Sequence, residues 1–232
     1  MGRASPNGQA RSGSRRVAGE GAAALAAAGA AHVVVALATV RGLIAAPDPP
    51  LSDGVVTLRP WQYDDIPELV ECIDGDEEMT RWLDMIPQPY RDKEARLWID
   101  QATSFWREGT AAPFALVAAE SGEVVGGVGF RWLGEEQGVG EVGYWLRARD
   151  RGRGLTTRGV TLISRWAIEE LGCERLQLRA DEENVSSQRV AEKAGFTREG
   201  VMRAVHYSAR LDRRVDYVMY SLLPSELPGR VA

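Results

Sequence analysis

The chain has 232 residues, of which 44% are hydrophobic and 26% charged, enough to bury the core of one large domain or of an ordinary domain with a tail. Its two cysteines, Cys72 and Cys173, show no CxxC spacing and its two histidines are His32 and His206, which argues against a metal site, a disulfide framework or a Ser-His-Asp triad. The net charge of −5 is uneven: residues 1–50 hold five arginines against Glu20 and Asp48, a balance of +3, so the remainder stands at −8, which argues against nucleic acid as a partner and for a cationic one.

Residues 1–50 are rich in Ala, Gly, Ser and Arg without an aromatic residue, and Gly21 to Val40 carries no formal charge. A secretory signal fits the basic Arg15–Arg16 pair before the apolar run, and a membrane anchor fits its length. Much of the run is Ala and Gly, which gain little from leaving water. The expectation is therefore a low-complexity, poorly ordered extension over 1–50. AAPDPP at 45–50 marks a boundary, with a domain over 51–226 and a tail at 227–232.

In that domain VVTL, Val55 to Leu58, reads as a strand stopped by Pro60. A helix starts at Asp64–Asp65 and runs through Ile73, with Pro67 tolerated in its first turn. Met79 to Leu83 predicts a short helix. Ala95, Trp98, Ile99, Ala102, Phe105 and Trp106 share the face of a longer one. Phe114–Ala119 and Val124–Trp132 predict strands joined by a hairpin-like turn at 120–123, followed by a strand over Glu141–Arg147. A helix over Leu155–Leu171, a strand over Leu176–Ala180 and a helix over Ser186–Ala194, ended by Gly195, come next. Two strands near Val201–Ala209 and Val215–Leu222 close a mixed α/β domain.

Between a strand and a helix lies RDRGRG, Arg149 to Gly154. A glycine-rich turn opening a helix leaves amide N–H groups free for an anion, and the helix dipole adds to them. The alternative for the loop alone is a basic, solvent-exposed turn. A Walker loop is excluded because no GK[S/T] follows, and a dinucleotide-binding unit lacks its third glycine at Thr157.

A second segment, NVSSQRVAEKAGF from Asn184 to Phe196, follows the LQLRA strand at once. Together with R-x-x-G-x-G it resembles the GCN5-related N-acetyltransferase (GNAT) superfamily, and within it the RimJ/RimL-type group. The resemblance runs from about Val55 to Leu223 and includes VTLRPW, EVGYWL, GFTREGVMR and VDYVMYSLL. It implies an α+β fold, a central mixed and mostly antiparallel sheet flanked by helices, with a splayed strand pair that holds acetyl-CoA.

The resemblance also implies the site. Arg149, Arg151, Gly152, Arg153, Gly154, Leu155 and Thr156 would cradle the pyrophosphate, with Leu146 and Arg147 at the strand end that pairs with the pantetheine arm. An amide near Leu146 would face the thioester oxygen. Glu141 is the candidate base, directly or through a water, against the reading of an ordinary strand-end glutamate. Ser187 would serve the leaving thiolate and Asn184 the donor arm, though Ser187 also reads as a helix cap. Tyr207 and Tyr220 are alternative acids. Trp82 and Tyr144 would line the acceptor site, Trp98 and Trp106 read as core, and Glu192 and Lys193 as a solvated helix face. The implied acceptor is a protein N-terminus or a small-molecule amine, the co-substrate acetyl-CoA, the location cytoplasmic, the state a monomer or homodimer. The competing function is an acyl-CoA-binding sensor without turnover.

Overall fold

The computed structural model describes residues 44–134 and 137–227. The extension over 1–50, with its anchor and signal alternatives, lies outside the described residues up to residue 43, as does the tail from 228. Among the described residues no helix is long and apolar enough to cross a membrane.

Among the described residues eight strands form one sheet: β1 (Leu51–Ser52), β2 (Val56–Pro60), β3 (Ala111–Ala118), β4 (Val124–Gly134), β5 (Val139–Leu146), β6 (Arg175–Asp181), β7 (Thr197–Ser208) and β8 (Arg213–Leu222). Their spatial order is β1-β2-β3-β4-β5-β6-β8-β7, and only β5 and β6 run parallel. That pair is joined by a right-sized crossover, helix α4 (Leu155–Glu169), as a parallel connection requires. The other helices are α1 (Ile66–Ile73), α2 (Glu77–Trp82), α3 (Asp92–Glu108) and α5 (Val185–Lys193).

Alternation along the strands builds two cores. Leu58, Phe114, Leu116, Val128, Phe130, Val142 and Leu178 pack against Val160, Ile163 and Trp166 of α4 on one face. Ala115, Val124 and Trp145 meet Leu69, Ile73, Trp98 and Ile99 of α1 and α3 on the other. Trp98 is core as expected, and Trp106 packs partly buried against the α4-side core through Phe114 and Trp166.

Three differences from the sequence have physical causes. β3 begins at Ala111 and includes Pro113, because β2 pairs with it only as far as Phe114 and no partner there needs the missing N–H. β1 spans two residues, too short to show a period. Ile44, beyond the expected start at 51, is buried in the α4-side core at 1% exposure, and Leu227 joins the same core.

Candidate active site

The β5–β6 ladder covers only Val139–Glu141 against Arg175–Gln177, after which the strands part. Beyond that point β5 keeps β4 on one side alone. The Arg147 amide donates to Val125 O, so by antiparallel alternation the backbone groups of Tyr144 and Leu146 face the gap. A cavity of about 380 Å³ opens there, lined from one face of the sheet by Arg131, Glu141, Arg179 and Trp82 and from the other by Tyr144, Thr156, Asn184 and Ser187.

Residues 149–154 close one end of this cavity. Gly154 caps α4 with φ 77° and Gly152 has φ 79°, both in the left-handed region. A Cβ at either position would meet no protein atom within 4 Å, so the space over the loop is open while the backbone demands glycine. Gly152, Gly154 and Thr156 line the cavity, whereas Leu155 is buried in the core.

The arginines take a different course from the one their number suggests. Arg147 is buried and donates to Asp150 at 2.6 Å and Glu123 at 2.9 Å. Arg149 pairs with Glu71 and Glu123, and Arg153 with Asp150 at 3.0 Å and Glu120 at 3.1 Å. None of these three lines the cavity. Arg151 does: it pairs with Asp76, with Glu78 at 2.7 Å, and its Nε donates to Leu146 O at 3.2 Å. The loop's charge is paired within the protein, and its glycines present backbone rather than side chains to the cavity.

Glu141 is 7% exposed and sits opposite Arg131 in the β4–β5 register. Its Oε2 accepts from Arg131 Nε at 2.8 Å and its Oε1 from Arg179 Nε at 2.6 Å. Tyr217 lines the same end, with its ring 6.0 Å from the Arg179 guanidinium carbon, and burial pushes its phenol up to about 12. Trp82, carried by the last turn of α2, lines this end too, with the Arg81 guanidinium stacked 4.6 Å from its ring centre.

On the α5 side, Asn184 is the helix cap, its Oδ1 accepting from the Ser187 amide at 2.9 Å. Ser187 is thus the third helical residue, not the cap, and its Oγ lies 2.8 Å from the Tyr144 hydroxyl. Tyr144 also donates to Ser187 O at 3.0 Å, and burial raises its phenol against the pull of the Ser187 contact. Tyr220 is fully buried with its hydroxyl on Glu192, Tyr207 is exposed against Asp212, and neither reaches the cavity.

Residues 56–197 match the acetyltransferase (GNAT) domain family. The chain belongs to the GNAT acetyltransferase family. It is similar to an uncharacterised N-acetyltransferase of Bacillus licheniformis (29% identity, 75% of this chain and 96% of that one). A candidate ribosomal N-acetyltransferase of Bacillus subtilis is 27% identical over 75% of this chain and 94% of its own. Among solved structures, a ribosomal L7/L12 α-N-protein acetyltransferase in complex with coenzyme A superimposes with a TM-score of 0.66, at 21% identity over 75% of this chain and 96% of that one. The expected GNAT fold and the acetyltransferase class are therefore established.

For this GNAT N-acetyltransferase the structure brings together Glu141, Tyr144, Leu146, Arg151, Gly152, Gly154, Thr156, Asn184, Ser187 and Trp82 around one cavity, and leaves Arg147, Arg149, Arg153 and Leu155 outside it. Sequence reasoning missed Arg131, Arg179, Arg189 and Tyr217; Lys193 is exposed, as expected, and also lines the cavity. A signal for the first two was available: FRW and LQLRA each place a single arginine in an apolar strand.

Proposed function

We propose that the protein transfers the acetyl group of acetyl-CoA to a primary amine, a protein N-terminus or a small molecule, by direct attack within a ternary complex. The parting of β5 from β6 between the glycine loop and the Glu141 cluster carries this reading. The residues fit the donor: amides of 152–156 for the pyrophosphate, open space over both glycines, and a strand edge at Tyr144–Leu146 with no neighbouring strand for an extended amide-bearing arm. When bound, acetyl-CoA supplies an acetyl group activated as a thioester.

The chain's own residues do the rest, mostly by orientation. The Leu146 amide, facing the gap, would donate to the carbonyl oxygen as it gains charge. An α-amine has a pKa near ~8, so a weak base suffices. With both Glu141 oxygens accepting from arginines, a water on a remaining lone pair is the route to the amine. The Ser187 hydroxyl, oriented by Tyr144, is presented to the leaving sulfur, and Asn184 to the donor arm. Trp82 and Tyr144 wall the site. A cytoplasmic location follows from the donor.

Mass spectrometry of the protein with acetyl-CoA and a pool of peptides, polyamines and aminoglycosides tests the reading. The expected product is an amine heavier by about 42 Da, one acetyl replacing hydrogen. Failure to bind acetyl-CoA in calorimetry, with no product, overturns it.

A further inference from the structure

The arginines in the glycine loop and in the first turn of α4 are all occupied: Arg149, Arg151, Arg153 and Arg158 each pair with a carboxylate. Of the other cations that line the cavity, Arg131 and Arg179 hold Glu141, which leaves Arg189 and Lys193 of α5. They are four residues apart and therefore share one face of the helix. Among the described residues neither has a carboxylate partner, unlike every arginine of the loop opposite. The same cavity is also lined by Gly152, Gly154 and Thr157 around the start of α4.

We infer that Arg189 and Lys193 recognise the 3′-phosphate of the acyl donor, so that the enzyme selects 3′-phosphorylated over 3′-dephosphorylated acyl-CoA. This rests on the donor reading above. The two kinds of donor group match the two kinds of anion. A pyrophosphate diester is chelated by neutral amides at a helix start, where the backbone comes close. A phosphomonoester carries nearly two negative charges at neutral pH and three acceptor oxygens, which call for cationic side chains. A cavity with amides on one wall and two unpaired cations on the other suits a donor bearing both. An acyl-pantetheine arm without nucleotide would leave Arg189 and Lys193 unused.

Calorimetry with acetyl-CoA and with 3′-dephospho-acetyl-CoA tests the assignment, using the full chain and the double variant Arg189→Ala/Lys193→Ala. Both side chains are exposed and away from either core, and circular dichroism confirms folding of the variant. The protein is expected to bind acetyl-CoA about tenfold or more tightly than the dephospho form. The double variant is expected to lose that preference by weakening for acetyl-CoA alone. Equal affinity of the unaltered protein for both donors, or an unchanged preference in the variant, overturns the inference while the donor reading stands. Binding of neither donor overturns both.

Discussion

Tyr144 and Ser187 form the contact in which chemistry is easiest to separate from binding. Their hydroxyls are 2.8 Å apart, one on a strand and one on a helix, 43 positions apart in the chain. Neither hydroxyl is charged and neither holds the loop that receives the donor. Ser187→Ala is expected to lower kcat by about 10²-fold and Tyr144→Phe by about tenfold, with the donor KM within about twofold of the parent. A matching rise in KM would reassign both to donor binding. The pH profile gives a second readout. Burial raises the Tyr144 phenol, so the neutral form persists to higher pH than for an exposed tyrosine. The rate should therefore climb as an amine of pKa ~8 loses its proton and show no descending limb before about pH 10. At this scale the sequence indicated which residue types to inspect but not their partners. Glu141 reads as a base from its place in EVGYWL, yet Arg131 and Arg179 come from strands on either side, and only the register brings them to one carboxylate.

Among the elements, the strands and helices were legible because alternation and 3–4 spacing are local properties. The destination of the loop arginines was not, because a charge acquires a partner only when distant elements meet. Arg151 shows this best: it reaches Asp76 and Glu78 at the start of α2, and so ties the loop to the helix that carries Trp82. What the loop needs from its sequence is backbone shape. Gly154→Val would force a β-branched residue to φ near 77° and place its side chain in the open space over the loop. We expect at least a tenfold rise in the acetyl-CoA Kd, read by calorimetry, and an unchanged Kd would remove the loop from the donor site. A second tie joins three strands: Glu199 of β7 accepts from Arg175 of β6 at 2.6 Å and from Ser221 of β8 at 2.7 Å. Arg175 and the Ser221 hydroxyl hold its carboxyl down to about 2. A depressed carboxyl stabilises the fold above its unfolded value near ~4.3 and loses that contribution as pH falls toward 2. Glu199→Gln should thus melt up to about 3 °C lower at pH 7, as solvent-screened pairs are worth less than about 1 kcal/mol. The gap between the two melting curves should close between pH 4.5 and pH 2, and a gap independent of pH would show that packing, not charge, is responsible.

At the scale of the molecule, the cavity exists because the sheet divides into two halves between β5 and β6. β5 belongs to a five-strand half covered by α4 on one face and by α1 and α3 on the other, and β6 to a three-strand half meeting it over three residue pairs. The α4-side core runs unbroken across both halves, from Leu58 and Phe114 to Leu178 and Tyr220, so parting the central strands sacrifices ladder bonds while that core stays closed. The parting itself leaves no trace in composition or period, and here only resemblance supplied it. The edge of the folded unit was equally hard to see, because AAPDPP reads as a boundary whichever residues precede it. Ile44 lies before those prolines and is nevertheless 1% exposed among the side chains under α4. Truncating a buried isoleucine costs about 2–5 kcal/mol, and each kilocalorie is worth about 2–4 °C of melting temperature in a domain of this size. Ile44→Ala should therefore melt at least about 4 °C below the parent, and a chain starting at residue 51 should fall at least as far below one starting at residue 44. Val55→Ala, at a position 41% exposed, serves as the control and should leave the melting temperature within about 1 °C. If the chains starting at 44 and 51 melt together, the residues before the prolines add nothing to the core and the folded unit begins at Leu51.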